Sequence, residues 1–213
     1  FGRRFFCATP QSLPQYQTSP KKVVVGHGID LAYWPQRPHT AADPYRLLVV
    51  HRLSKSKRLE LIVQAMKLLD AAYTLDVYGV EAEAGYVADM KALAQTLQLQ
   101  NRVIFHGTIP MTELPALYAR HRLILNMASE TIDKTMLEAM TAGCYPVTTK
   151  RTAEAIGIPE APGEETPQAI AAFIETWKDR LPLSADAMYG IVAERHGLKA
   201  LIEKMDHYIH PGQ

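Results

Sequence analysis

Leu47-Leu48-Val49-Val50-His51-Arg52-Leu53-Ser54-Lys55-Ser56-Lys57-Arg58 is the stretch from which the fold is read. Its first four residues are an unbroken apolar run, after which the chain turns basic, with Arg52, Lys55, Lys57 and Arg58 in one short connection. Ile62, Ala65, Met66 and Leu69 then follow at the spacing that lines one face of a helix. A strand apolar at every position, instead of every second one, is buried on both faces, as helical crossovers over a parallel sheet require.

The same alternation extends outward from this stretch. Residues 23–25, 74–78, 103–106, 123–127 and 145–148 read as further strands. Met90, Leu93 and Leu97 mark a second helical stripe. Residues 113–120 are expected to form a helix capped by Thr112, with Pro115 tolerated in its first turn, and residues 136–142 a short helix stopped by Gly143. The stretch 156–167, rich in Pro, Gly and Glu, reads as a surface loop, and two or more helices are expected from there to about residue 209. The expected architecture is α/β: a Rossmann-like, doubly wound parallel sheet of about six strands with extra C-terminal helices.

Bulk properties narrow the function classes. A length of 213 residues with 47% hydrophobic content suits one large domain. The net charge of +1, from 23 basic and 22 acidic residues, provides no global field for nucleic acid or an anionic membrane, so any bound anion must be held by a local cluster. Cys7 and Cys144 are far apart and lack metal-ligand spacing, which argues against a disulfide framework or zinc module and for a reducing, cytoplasmic compartment. No apolar run is long enough for a membrane span, a reading compatible with peripheral membrane association of a longer protein. Residues 1–6 do not read as a secretory signal, and the first residue is not methionine; the expectation is a piece of a longer protein cut near a domain boundary.

Ligands of doubly wound sheets bind at the carboxyl ends of the strands. There Arg52 could grip two phosphate oxygens with its fork and Lys57 add a mobile point charge, a pair suited to a diphosphate; a solvated basic turn is the plainer alternative. After residues 123–127 comes Ala128-Ser129-Glu130-Thr131-Ile132-Asp133-Lys134-Thr135-Met136-Leu137-Glu138-Ala139-Met140. A helix opening near Asp133 or Lys134 would aim free amides and its positive end into the crevice, with Lys134 and Thr135 adding a charge and a hydroxyl. Glu138, about one turn on, could reach the hydroxyls of a ribose; Glu130 could reach a sugar hydroxyl or the reacting centre. Each carboxylate alone could equally be an ordinary solvated residue. The convergence of cations and paired carboxylates on one crevice favours the ligand-binding reading.

Other signals are weaker. Gly26-His27-Gly28 lacks the third glycine of a dinucleotide fingerprint. His27, His51 and His106 each end or nearly end a strand and could meet in the crevice, but they have no short ligand spacing, so no metal is expected. Cys144, Trp177, Met188, Tyr189, Met205 and Tyr208 read as packing residues, and His207 and His210 as a solvated helix end.

Taken in order, these segments resemble the C-terminal, donor-binding domain of GT-B fold, retaining glycosyltransferases of glycosyltransferase family 4. The family signature, a glutamate, seven residues and a second glutamate followed by Ala-Met-Ala and a Gly-x-Pro-Val strand, stands here as Glu130, Glu138-Ala139-Met140 and Gly143-Cys144-Tyr145-Pro146-Val147. Gly28-Ile29-Asp30, Arg52-Leu53 with Lys57, and Val103-Ile104-Phe105-His106-Gly107 followed by residues 114–118 fall in family order. Thr141 replaces the last alanine, and Thr131-Ile132-Asp133 stands where Gly-Phe-Gly is usual, with Lys134-Thr135 resembling a variant found in some members.

The resemblance implies that Arg52 and Lys57 neutralise the donor's phosphates, assisted by Lys134 and Thr135, and that Glu138 holds the ribose. It further implies that Glu130 faces the transferred sugar as the catalytic residue, and that residues 108–110, centred on Ile109, lie near the base. No metal and no cofactor is implied beyond a nucleotide-diphosphate sugar as donor substrate. Residues 1–20 would be an interdomain crossing segment and 21–213 the nucleotide-sugar-binding domain, with an N-terminal acceptor domain outside this chain. The implied reaction moves a sugar to an acceptor hydroxyl with retention; a catalytically inactive nucleotide-binding module and a sugar-nucleotide epimerase on the same fold are the alternatives.

Overall fold

The structure is a computed structural model that describes residues 4–36, 42–128 and 132–210. The chain opens with two short strands, β1 (Phe5–Cys7) and β2 (Lys22–Val24). Then strands and helices alternate: β3 (Asp43–Val50), α1 (Leu59–Met66), β4 (Thr74–Tyr78), α2 (Tyr86–Thr96), β5 (Val103–Gly107), α3 (Leu114–Tyr118), β6 (His121–Asn126), α4 (Lys134–Thr141) and β7 (Tyr145–Thr148). Helices α5 (Lys150–Ile156), α6 (Pro167–Trp177), α7 (Ala185–Ile191) and α8 (Leu198–Ile209) complete it, with a π-helical turn, Val192–His196, joining α7 to α8.

The main sheet is parallel throughout and has the order β5-β4-β3-β6-β7. The chain starts in the middle at β3, winds outward to β5, and returns to lay β6 on the other side of β3. The topological switch point therefore lies between β3 and β6, where the crevice of a doubly wound sheet opens. Leu47, Leu48 and Val49 are fully buried, as are Ile62, Val63 and Met66 of α1, and Leu123, Ile124 and Leu125 of β6 have at most 1% exposure. Each such side chain contributes about 1.5–3 kcal/mol relative to an exposed one.

The main sheet has five strands instead of the expected six. β2 lies outside it and pairs in parallel with β1. Val24 is exposed, so this short run is covered on one face only and lacks the two-sided burial of the central strands. Thr112 is not a helix cap. It lies in a 3-10 turn, Met111–Glu113, closed by the Glu113 amide on the Pro110 carbonyl, and α3 begins after it.

Two close approaches require glycine. At Gly79 (φ 154°) a Cβ would stand 1.8 Å from the His51 carbonyl oxygen, which brings the ends of β3 and β4 into backbone contact. At Gly26 (φ 90°) it would stand 2.3 Å from the Arg195 carbonyl oxygen. There the Ile29 amide donates to the His196 carbonyl (2.7 Å) and the Leu198 amide to that of Ile29 (2.8 Å), knitting the loop after β2 to the π-helical turn.

Asp76 is a buried carboxylate inside β4. It accepts hydrogen bonds from Arg46 Nη2 (2.6 Å), His106 Nε2 (2.7 Å) and His121 Nε2 (3.2 Å). Burial alone would raise its pKa, but the bonds from His121, His106 and Arg46 outweigh it and hold the carboxyl well below the usual carboxylate range. Because the folded pKa is depressed, the stability it contributes is complete above the unfolded value near pH 4 and is lost as the pH falls below it. Asp76→Asn is therefore expected to cost about 3 kcal/mol in urea unfolding at pH 7, and the gap from wild type should narrow in acid below pH 4.

Candidate functional site

The basic connection after β3 is built from its own backbone outward. His51 is buried at the strand end and its Nδ1 lies 2.9 Å from the Arg52 carbonyl, to which it donates. Burial lowers the His51 pKa, opposed by that carbonyl and by Asp133, so its other nitrogen, Nε2, is an acceptor enclosed without a partner among the described residues. Residues Lys55–Lys57 form a single 3-10 turn, and Arg58 adopts a left-handed conformation (φ 51°) to start α1.

The four cations of this connection have separate fates. Lys55 pairs with Glu83 at the surface (3.0 Å). Arg58 donates from Nε to the Met127 carbonyl (2.7 Å) and from Nη1 to Glu165 (2.5 Å), which ties the loop to the end of β6. Lys57 is buried, and its Nζ lies 2.7 Å from each oxygen of Asp133. Arg52 is exposed, and its guanidinium has no partner among the described residues. Of the two expected phosphate ligands in this connection, Lys57 is thus paired and Arg52 is unpaired among the described residues.

Across the switch point, α4 begins at Lys134, with Asp133 just before it in an extended conformation (φ −77°, ψ 134°). The Asp133 carboxylate does not cap the helix; besides Lys57 it accepts from Asn126 Nδ2 at the end of β6. Lys134 is exposed at the helix mouth. Thr135 donates its hydroxyl to the Val50 carbonyl (2.7 Å), so it ties α4 to β3 instead of offering a free donor. Glu138, half-buried on α4, has its carboxyl raised by burial, against the lowering influence of Lys134 and Tyr118. Tyr118, fully buried, also lies beside Trp34, ring centroids 5.9 Å apart.

The expected residues are thus partly assembled. Lys57 reaches the mouth of α4 through Asp133, and Lys134, Thr135 and Glu138 lie on that helix. Ile109 follows β5 on the same edge of the sheet, half-buried against the core. Glu130 lies outside the described residues, as do Ser129 and Thr131.

The three imidazoles do not form one cluster. His106 is the extra residue of a bulge where β5 pairs with β4; it turns to Asp76 and stacks on Tyr78 (4.4 Å). His27 lies 5.5 Å from the His196 ring and near Lys134. Burial, His196 and Lys134 push its pKa down to about 4, Asp133 and the Ile132 backbone opposing, so it is neutral at pH 7. Among the described residues no group of three His, Cys, Asp or Glu side chains is placed to hold a metal ion. A cavity of about 780 Å³ lined by Ile29, Leu31, Leu198 and Ile202 lies beside α8 and does not include the Lys57–Asp133 contact.

Asp133, Asn126, Tyr118 and His196 were not expected at the site. Asp133 entered the sequence reading only as a possible start of α4, and its pairing with Lys57 had no signal in the order of residues.

The fold is shared with solved glycosyltransferases. The HepE protein of Anabaena, solved in complex with UDP and glucose, superposes with a TM-score of 0.84 at 18% identity, over 98% of this chain and 63% of that one. A glycosyltransferase from Rickettsia africae gives 0.79 at 15% identity, over 99% and 64%. Sucrose-phosphate synthase from Thermosynechococcus elongatus gives 0.77 at 18%, over 96% and 57%. The chain therefore spans less than two thirds of the length of each of these proteins. No curated protein matches it in sequence. The family model described as glycosyl transferases group 1 matches residues 34–157, more than half of the chain and the whole of β3 to α5, and the chain belongs to that family.

Proposed function

We propose that this chain is the C-terminal, donor-binding half of a retaining glycosyltransferase of family 4, moving a sugar from a nucleotide diphosphate to an acceptor hydroxyl. One observation carries the reading: the Lys57–Asp133 contact, which brings the basic connection after β3 onto the mouth of α4 across the switch point. Residues 21–213 form the nucleotide-sugar domain, residues 1–20 the crossing segment, and a preceding domain supplies the acceptor. The complex of HepE with UDP and glucose supports a donor of this class. No helix among the described residues is long and apolar enough to cross a membrane. The buried free thiols of Cys7 and Cys144 suit the cytoplasm.

As the bond from the anomeric carbon to the diphosphate oxygen breaks, negative charge gathers on the leaving phosphates. Arg52, Lys134 and the first amides of α4 would stabilise it, in place of a metal. Lys57 adds a fixed donor. Glu138 accepts from the ribose hydroxyls, its partial burial strengthening those bonds, and Thr135 holds α4 against β3. Ile109 and its neighbours flank the base. Glu130 faces the transferred sugar and stabilises positive charge at the anomeric carbon.

Calorimetric titration of UDP, GDP and ADP into the chain tests the donor site: at least one should bind, and Arg52→Ala should weaken it about tenfold. Absence of binding by all three ends the donor reading. In the longer protein, Glu130→Gln is expected to lower kcat about 100-fold with little change in donor KM. A mutant as active as its parent removes Glu130 from catalysis and favours a non-catalytic nucleotide-binding role.

A further inference from the structure

We infer that Asp133 is a positioning residue for the donor diphosphate, pinning the Lys57 ammonium while its side chain leaves the first two amides of α4, those of Lys134 and Thr135, uncovered. The inference rests on the donor site proposed above and assigns to it a residue that stands where the family usually has glycine.

An aspartate immediately before a helix ordinarily accepts a hydrogen bond from an amide of the first turn. Three other helices of this chain are closed in that way: Thr149 accepts from the Thr152 amide, Thr166 from that of Ala169 and Ser184 from that of Ala187. Asp133 has the backbone of a cap but makes no such bond. Both its oxygens are engaged by Lys57, and one also by Asn126. The Met136 amide is held by the Asp133 carbonyl (3.0 Å), and the Lys134 and Thr135 amides, without a partner among the described residues, are left to an external anion.

The same contact fixes Lys57. Only 7% of its side chain is exposed, and a lysine there without a counter-charge would be strongly disfavoured. Its contacts among the described residues are the two oxygens of Asp133, which leaves at least one of its three N–H donors for a further acceptor. The Nε2 of His51, buried beside this pair without a partner among the described residues, is an acceptor and calls for a donor instead of a phosphate oxygen.

Asp133 also carries a negative charge next to the proposed phosphates, and repulsion would oppose the role assigned to it. Two features decide the balance. Its charge is already met by an ammonium at 2.7 Å and an amide, so little of it acts on a ligand further away. Replacing it with asparagine would release Lys57 and supply a good neutral cap that covers the amides.

The test compares wild type, Asp133→Asn and Asp133→Gly. Each is titrated with the nucleoside diphosphate that the wild type binds and, by ligand-detected NMR, with the corresponding nucleoside, and thermal unfolding is recorded alongside. Asn is expected to weaken the diphosphate about tenfold and leave the nucleoside nearly unchanged; Gly, which cannot cap by its side chain, should lose less. A disturbance of structure alone would lower both ligands equally, and that result overturns the inference, as does diphosphate binding that is unchanged or tighter in whichever variant folds. A wild-type chain that binds no nucleoside diphosphate overturns the donor site itself, whereas a binding wild type with an indifferent variant overturns the role of Asp133 alone.

Discussion

A buried ammonium group must have a partner, and for Lys57 that partner is Asp133, 76 positions away in the chain. The pair does little for net stability, because removing two charges from water costs about as much as their attraction returns. Its effect is geometric. Breaking it by deleting one member leaves the other buried and uncompensated, at a cost of about 3–5 kcal/mol, so the loop after β3 and the start of α4 are held to one relative position. Asn126 adds a third point of attachment from the end of β6.

The parallel sheet makes that contact available. With every strand running in the same direction, the loops after β3 and β6 emerge on one edge as neighbours. Three further ties stiffen the meeting place. Thr135 bonds the carbonyl that ends β3, Arg58 bonds the carbonyl just past β6, and the missing side chain of Gly79 lets the turn after β4 lie against His51. Polar groups that might have served a ligand are used here to fix the frame in which the remaining ones act.

The central strands were legible because burial on both faces leaves an unmistakable run of apolar residues, as in Leu47-Leu48-Val49-Val50. The outer bounds of the terminal helical region, near residues 167 and 209, were also readable, but its division into α6, α7 and α8 was not. The strand near residue 23 was read correctly as a strand but assigned to the wrong sheet, since a three-residue run records that it is extended and not what it pairs with. Helix α5 escaped notice because its buried face is made of Thr152, Ala153 and Ile156, too small and polar to form an apolar stripe. At the site, residue types pointed to an anion, but the pairing of those types did not follow from them. Nothing in the order of residues states that Lys57 seeks Asp133, that Arg58 seeks a carbonyl, or that a bulge turns His106 onto Asp76. Such choices are made by tertiary contacts.

In the proposed donor site, a division of labour among the cations explains how an acidic residue can stand at the mouth of a helix that receives an anion. The field of an isolated charge falls off slowly with distance, whereas that of a close, opposite pair falls off much faster. On that reading, a ligand arriving at α4 is attracted by the exposed Arg52 and Lys134, whose charges are unpaired among the described residues but screened by water and salt. At contact range it meets the buried pair, which attracts weakly from afar but presents its donor in one direction. As the ligand displaces water from the crevice, the screening of the outer cations falls and their attraction rises. Long-range capture and short-range orientation are thereby carried by different residues, and Asp133 can serve the second without defeating the first.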